Sequence, residues 1–221
     1  MDYSKENIEA LVRRVISGLK DGASEVKSEE SGDVPIGVSN RHIHLSREDI
    51  DVLYGKGYEL TPLKELSQPG QYAAKETLTI VGPSLRPIEN VRVLGPLRKA
   101  SQVEISKTDS YTLKVKPPVR ESGDIKNSSP IVIIGPKGVV TLNEGCIIAN
   151  RHIHMSPADA KRYNVTDGEY VDIEVNGTRP TMWIGVQIRV NDAFRLEMHV
   201  DTDDANAAGI ANGSKVKLIK K

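Results

Sequence analysis

Cysteine is almost missing from this chain: of 221 residues only Cys146 carries a thiol. No intramolecular disulfide can staple the fold, and the composition suits a reducing compartment. An excess of either charge is missing too. Thirty basic residues balance thirty acidic ones, which removes any global electrostatic case for nucleic acid or a membrane surface as partner, although local basic pockets remain open. No apolar run approaches the roughly 18 residues that would span a bilayer, and the charged, amphipathic N-terminus does not read as a signal peptide. Histidine is scarce, with five in the whole chain. What remains is an ordinary globular sequence, 38% hydrophobic, able to bury a core in one large domain or two small ones.

Four of the five histidines fall in a phrase that the chain writes twice. Residues 40–49 read Asn-Arg-His-Ile-His-Leu-Ser-Arg-Glu-Asp and residues 150–159 read Asn-Arg-His-Ile-His-Met-Ser-Pro-Ala-Asp, identical at seven of ten positions. The exchange of Leu45 for Met155 keeps an apolar side chain of similar size. If the segment is extended, side chains at i and i+2 leave the same face of a strand. His42 and His44, and likewise His152 and His154, can then reach one ion, while Ile43 and Ile153 point the other way into a core. Ser46 with Asp49 and Ser156 with Asp159 have the capping spacing of a helix start, and Pro157 sits at the first helical position, where it is tolerated. Each histidine pair therefore lies at the end of a strand, just before a helix. A lone histidine is usually a hydrogen-bonded structural residue; two copies of His-x-His in a histidine-poor chain point to metal ligation, and imidazole favours zinc over harder cations.

Along the chain, Ile8, Leu11, Val12, Val15, Ile16 and Leu19 form the apolar stripe of a helix over residues 5–20. From Asp21 to Val34 the composition turns to Gly, Ser, Glu, Asp and Lys, a flexible linker. A helix of that length is marginal alone in water. Its stripe needs an oligomer contact, a dock on its own domain, or the groove of another protein. From Val34 onward short strands are expected at 34–38, 76–81, 91–94, 102–105 and 111–115, an exposed polar loop at 120–129, and a hairpin from Ile131–Ile134 through Gly135-Pro136-Lys137-Gly138 to Val139–Leu142. Residues 160–173 and 205–218 each read as short helix, turn and strand, with the turns at Asp167-Gly168 and Asn212-Gly213. Further strands are expected at 181–190 and 194–200. Many short strands, glycine-rich turns and few helices argue for β-barrels, and the 110-residue offset between phrases argues for two related lobes that meet at the metal site.

The fifth histidine, His199, shares an alternating polar face with Arg195, Glu197 and Asp201. It is the economical third ligand to one metal, and three histidines with an open position make a catalytic type of zinc shell. The other metal then needs a carboxylate; Glu48, Glu76, Glu104 and Glu144 are candidates among which spacing does not choose. His42-x-His44-x-x-x-Glu48 also matches the first ligand motif of cupins, but the Ser46 cap would take Glu48 off the strand face. Gly95-Pro96-Leu97-Arg98-Lys99 brings two cations to a turn. Lys99 reads as solvated, whereas the planar fork of Arg98 suits phosphate. Cys146, beside Ile147 and Ile148, reads as core.

These residues resemble the PduL-type phosphotransacylases, the phosphate propanoyltransferases. The likeness covers about residues 34–221 and rests on the two Asn-Arg-His-Ile-His phrases, Gly95-Pro-Leu-Arg with Gln102-Val-Glu104, and Leu196-Glu-Met-His199. The resemblance implies a mainly β chain with short helices: two β-barrel domains, one inserted in the other, behind an N-terminal amphipathic helix. The division it suggests is a targeting helix at 1–20, a linker at 21–34, a first barrel from 35–86 and 150–221, and an inserted barrel at 87–149. It also implies two zinc ions at the junction, one held by His42, His44 and Glu104, the other by His152, His154 and His199, with Arg98 contacting phosphate. The implied reaction converts acyl-CoA and phosphate to acyl phosphate and CoA, reversibly. The CoA contacts are unassigned, and the cleft between the lobes is where they are expected. In such proteins the N-terminal extension directs the enzyme into a bacterial microcompartment, so residues 5–20 are expected to meet shell or cargo proteins within the cytoplasm. Homo-oligomerisation stays open. Two rivals share the ligand set: a dinuclear metallohydrolase and a non-catalytic metal-binding assembly module.

Overall fold

Alternating side chains and glycine-rich turns produce fourteen strands and four short helices among the described residues, 33–220 of this computed structural model. The helix expected over 5–20 and nearly all of the linker expected over 21–34 lie outside them. In chain order the first half runs β1 (Val34–Ser39), β2 (His42–His44), α1 (Arg47–Tyr54), β3 (Pro62–Glu65), β4 (Tyr72–Val81), β5 (Pro87–Gly95), β6 (Gln102–Glu104) and α2 (Lys107–Leu113). The rest runs β7 (Val119–Arg120), β8 (Ser129–Ile134), β9 (Val139–Ala149), β10 (His152–Met155), α3 (Pro157–Tyr163), β11 (Tyr170–Val175), β12 (Thr181–Val190), β13 (Glu197–Asp201), α4 (Thr202–Ala208) and β14 (Lys215–Ile219). None of these helices is long and apolar enough to cross a membrane.

The strands close into two rings of six. One runs β1-β13-β10-β12-β11-β14 and returns to β1. The other runs β4-β5-β2-β6-β9-β8 and closes because β8 pairs with both β9 and β4, while β3 and β7 are attached at its edges. The pairing sense matches strand for strand. Each His-x-His strand has a parallel neighbour on one side, β5 or β12, and an antiparallel one on the other, β6 or β13. That antiparallel neighbour in turn lies parallel to the strand that leads into the opposite phrase, β9 or β1. So β1 runs into β2 but sits in the ring of β10, and β9 runs into β10 but sits in the ring of β2. The Asn-Arg dipeptides 40–41 and 150–151 are the two crossings.

Mainly β with two barrels is what the sequence led one to expect, and the second ring, residues 42–149, lies in the chain between β1 and β10. The pairing does not follow the division expected at 86/87. That point falls between β4 and β5, which pair with each other from Tyr72–Gly95 to Val81–Pro87, so β2, α1, β3 and β4 belong to the ring built from residues 42–149. Val34, where the expected linker ends and the strand expected at 34–38 begins, is the fully buried first residue of β1.

Each ring has its own core. Ile43 and Leu45 pack in one and Ile153 and Met155 in the other, all with no exposed surface, which is the outcome of a two-residue period with histidines on the opposite face. After each histidine pair the expected caps form: Ser46 accepts from the Asp49 amide at the start of α1, Ser156 from the Asp159 amide at the start of α3. One expected strand is a helix. Residues 111–115 alternate, but Ser106 and Asp109 make a capping box that starts α2 at Lys107, and Leu113 then falls on its buried side; the cap signal outranks a short alternation.

Side chains also bridge the rings. Gln68, buried in the β3–β4 connection, donates to the Arg195 carbonyl (3.0 Å) and accepts from the Arg195 amide (3.1 Å). The α2 amide of Thr108 donates to Asp203 of α4 at 2.8 Å.

Because Ile153 lies on the face away from the histidines, Ile153→Ala is expected to lower the free energy of unfolding by about 2–5 kcal/mol in denaturant titration, with the number of zinc equivalents retained by the folded protein unchanged.

Candidate metal centre

The duplicated phrase becomes geometry at the ring junction. The Nδ1–H of His42 donates to the carbonyl of Asn40 at 2.8 Å and that of His152 to the carbonyl of Asn150 at 2.7 Å. A carbonyl can only accept, so in its neutral form each of these imidazoles has its lone pair on Nε2. Behind the pairs, Arg41 grips Asp109 of α2 through two contacts (2.7 and 2.9 Å), and Arg151 approaches Asp204 of α4 at 3.6 Å. The arginine of each phrase thus ties the ligand strand to the helix that follows the antiparallel neighbour.

Strand register supplies the third group on each side. His42 stands directly opposite Glu104 across β2 and β6, and His152 directly opposite His199 across β10 and β13. Glu104 and His199 therefore occupy the same place in the two rings. Glu104 lies 3.4 Å from Nε2 of His42 and 4.0 Å from Nε2 of His44. The imidazole rings of His152, His154 and His199 sit 4.6–5.2 Å apart. In each trio, donor atoms from all three side chains come within 4.8 Å of one another. Both trios line one cavity of about 310 Å³ that also receives Arg98 and Arg189.

The rival carboxylates go elsewhere. Glu48 is exposed on α1, off the strand face as its cap requires, which disposes of the cupin pattern. Glu76 is held by the Tyr58 hydroxyl (3.0 Å) and the Thr61 amide (3.1 Å), and Glu144 accepts from the Asn127 amide at 2.7 Å. Neither lines the cavity.

Charge in this pocket is set by burial and by neighbours. Burial, then His42 and Arg98, push His44 down to about 2; burial, then His152 and His199, push His154 down to about 2; burial and His199 bring His152 to about 4. These imidazoles are neutral at physiological pH, the form that binds a metal. Burial alone would raise the Glu104 carboxyl, but His42, His44 and the Ser122 hydroxyl hold it far below the usual carboxylate range. Burial would lower His42, yet Glu104 and the Asn40 carbonyl leave it raised. Arg98 is lowered by burial and by Arg189, against the pull of Glu104.

The donor sets fit divalent cations. The Nδ1 atoms of His44 and His154 are buried with no hydrogen-bond partner, and a buried polar atom without a partner is costly. His199 Nε2 lies 2.6 Å from Glu197, the arrangement in which a ligating histidine donates its other N–H to a carboxylate, and this leaves Nδ1 open to an ion. His₂Glu and His₃ with an open position are donor sets of catalytic zinc.

Sequence reading singled out Arg98 and put Glu197 on the face of His199, and it gave no role to three further residues at the cavity. Arg189 lies in register with His154 on β12; Phe194, the chain's only phenylalanine, packs on His154 at 4.2 Å between ring centroids; Glu197 orients His199; and Ser122, in the stretch expected to be an exposed loop, turns inward to Glu104 and Arg98 at 2.7 and 2.9 Å. Strand alternation flagged Glu197 as facing the site; nothing local flagged the others. Cys146 is core as expected, and burial pushes its thiol up to about 12.

Comparison with known proteins adds a family. The family profile described as phosphate propanoyltransferase matches residues 35–211. A phosphate propanoyltransferase of Lachnoclostridium phytofermentans is 55% identical over 213 residues, 96% of this chain and 98% of that protein. One from Thermotoga maritima is 59% identical over 186 residues, 84% of this chain and 88% of that protein. One from Rhodopseudomonas palustris is 44% identical over the full length of both.

Metal analysis of the zinc-loaded protein is expected to give about two equivalents, falling to about one in His42→Ala and in His152→Ala; loss of both from either variant would mean one shared shell. A thiol with its pKa near 12 is protonated at pH 8, so Cys146 is expected to resist thiol reagents in the folded protein and to give one equivalent on denaturation.

Proposed function

This chain belongs to the phosphate propanoyltransferase family, and from that membership we propose that it transfers an acyl group reversibly between coenzyme A and inorganic phosphate, with a short acyl-CoA such as propanoyl-CoA as the thioester. The observation that carries the reading is the meeting, in one cavity, of two three-donor groups and the guanidinium of Arg98. A phosphate oxygen attacks the thioester carbonyl carbon, the C–S bond breaks, and the proton of hydrogen phosphate ends on the CoA thiol, giving acyl phosphate and CoA. Zinc in each group, when bound, would supply Lewis-acid charge for the carbonyl or departing thiolate on one side and for phosphate on the other.

The chain's own residues supply position and charge. Arg98 spends Nη1 on Ser122 and keeps the rest of its fork for two oxygens of a phosphate. The Arg189 side chain, which makes no hydrogen bond or ion pair among the described residues and lies 5.9 Å from the Phe194 ring centroid, faces the same cavity from the other ring and adds a second positive charge for the anion. Two guanidiniums close enough to lower the pKa of one of them are favourable neighbours only around an anion. No protein nucleophile is needed: the one thiol is buried in a core and protonated, so direct attack by phosphate is the simpler course. The cavity between rings is also where CoA contacts are expected. On the sequence resemblance alone, the proposal extends to delivery of the enzyme into a bacterial microcompartment through residues 5–20.

Free thiol followed after mixing the zinc-loaded protein with propanoyl-CoA tests this directly. Release that depends on phosphate is expected. Equal release without phosphate would indicate a dinuclear hydrolase, and bound metal with no release from any acyl-CoA would indicate a non-catalytic module. Arg98→Lys keeps the charge and loses the fork, and is expected to raise KM for phosphate by about tenfold or more while leaving KM for propanoyl-CoA near its original value.

A further inference from the structure

Glu104 and Arg98 meet through a hydroxyl that nothing so far assigns. Ser122 sits in the strap between β7 and β8. Its Oγ–H donates to Glu104 Oε1 at 2.7 Å and its oxygen accepts from Arg98 Nη1 at 2.9 Å and from Gln102 Nε2 at 3.0 Å. A hydroxyl has one proton and two lone pairs, so Ser122 is saturated. Gln102 has both donors engaged: its amide nitrogen gives one proton to Ser122 and the other to Glu104 Oε1 (2.6 Å), and its oxygen accepts from the Gly123 amide (2.7 Å). Glu104 Oε1 thus receives two hydrogen bonds, and Oε2 is the oxygen that faces His42 at 3.4 Å.

The strap also reaches the other ring. Glu121 accepts from Gln187 Nε2 at 2.5 Å, and Gln187 stands in register with His152 and accepts from the Asn150 side chain at 3.4 Å. One end of the Glu121–Ser122 dipeptide therefore meets the surroundings of each donor trio.

From this arrangement we infer that Ser122 is a positioning residue for the reaction proposed above: it fixes which oxygen of Glu104 is presented to a metal and, through the same oxygen atom, where the Arg98 fork stands for phosphate. The inference rests on that reading of the cavity. Its consequence is a coupling: one hydroxyl serves metal affinity at the Glu104 trio and phosphate binding together, and leaves the His152, His154, His199 trio alone.

The test compares wild type, Ser122→Ala and Ser122→Thr in the full-length, zinc-loaded protein. Competition with a chromophoric zinc chelator is expected to show one of two equivalents in Ser122→Ala lost at roughly tenfold lower chelator concentration, since partners of metal ligands contribute about 10- to 100-fold in affinity or activity. KM for phosphate should rise by about tenfold, KM for propanoyl-CoA should stay within about twofold, and Ser122→Thr, which keeps the hydroxyl, should restore both properties. Unchanged chelator competition and unchanged KM for phosphate in Ser122→Ala would overturn the inference. So would a joint fall in thermal midpoint and rise in both KM values that threonine does not correct, because that pattern belongs to a residue that only holds the fold. A wild-type protein that binds two zinc ions and transfers nothing to phosphate would sink the acyl-transfer reading, and the chelator comparison would still decide the role of Ser122 at Glu104.

Discussion

Imidazole lone pairs buried in a protein interior have to face something, and this requirement organises the molecule. Four buried histidines, none more than 8% exposed and three of them held neutral, converge with a buried carboxylate and a fifth histidine on a single cavity. The Nδ1 atoms of His44 and His154 are buried without a hydrogen-bond partner, and such a nitrogen raises the free energy of the fold unless a cation takes it. Burial would also make a charge placed beside them act with more force than in bulk water. Stability and chemistry therefore ask for the same occupant.

The architecture that brings these groups together is an exchange. Each ring borrows the strand that introduces the other ring's histidines, so the two phrases are anchored from both sides of the junction. Were each lead-in strand to stay with its own histidines, the crossings at Asn40-Arg41 and Asn150-Arg151 would be lost, and with them the carbonyls that set the tautomers of His42 and His152. The equivalence of the rings also explains an asymmetry. Position for position, Glu104 matches His199, so two copies of one scaffold offer one trio with a carboxylate and one with imidazoles only. An ion on the His₂Glu side would carry less net charge than one on the His₃ side, and the guanidiniums of Arg98 and Arg189 arrive from different rings. A thioester and a phosphate dianion are unequal reactants, and unequal halves suit them.

Much of this was legible in the sequence where the information is local. The two-residue period put His42 and His44 on one face and Ile43 on the other, and the Ser46 and Ser156 caps marked where the strands end. Glycine turns and strand lengths gave the barrels. The third member of the first trio was not legible from spacing, because Glu104 stands opposite His42 only through the register of β2 on β6, a pairing across 62 residues. Ring membership was hidden for the same reason, and β4 and β5 fell on opposite sides of the expected division although they form one hairpin. Residues 111–115 alternated as a strand would, and the capping box at Ser106 and Asp109 decided otherwise. Ser122 sat in a polar stretch whose composition says loop, and composition carries no sign of a side chain that turns back into a cavity.

The central claim is that two cations occupy the junction, each on its own trio. Anomalous diffraction at the zinc edge from crystals of the metal-loaded protein addresses it most directly. The account expects two peaks in the one cavity, the first beside His42, His44 and Glu104 and the second beside His152, His154 and His199. A single peak shared by both histidine pairs, or peaks only at surface sites with the cavity empty, would contradict it.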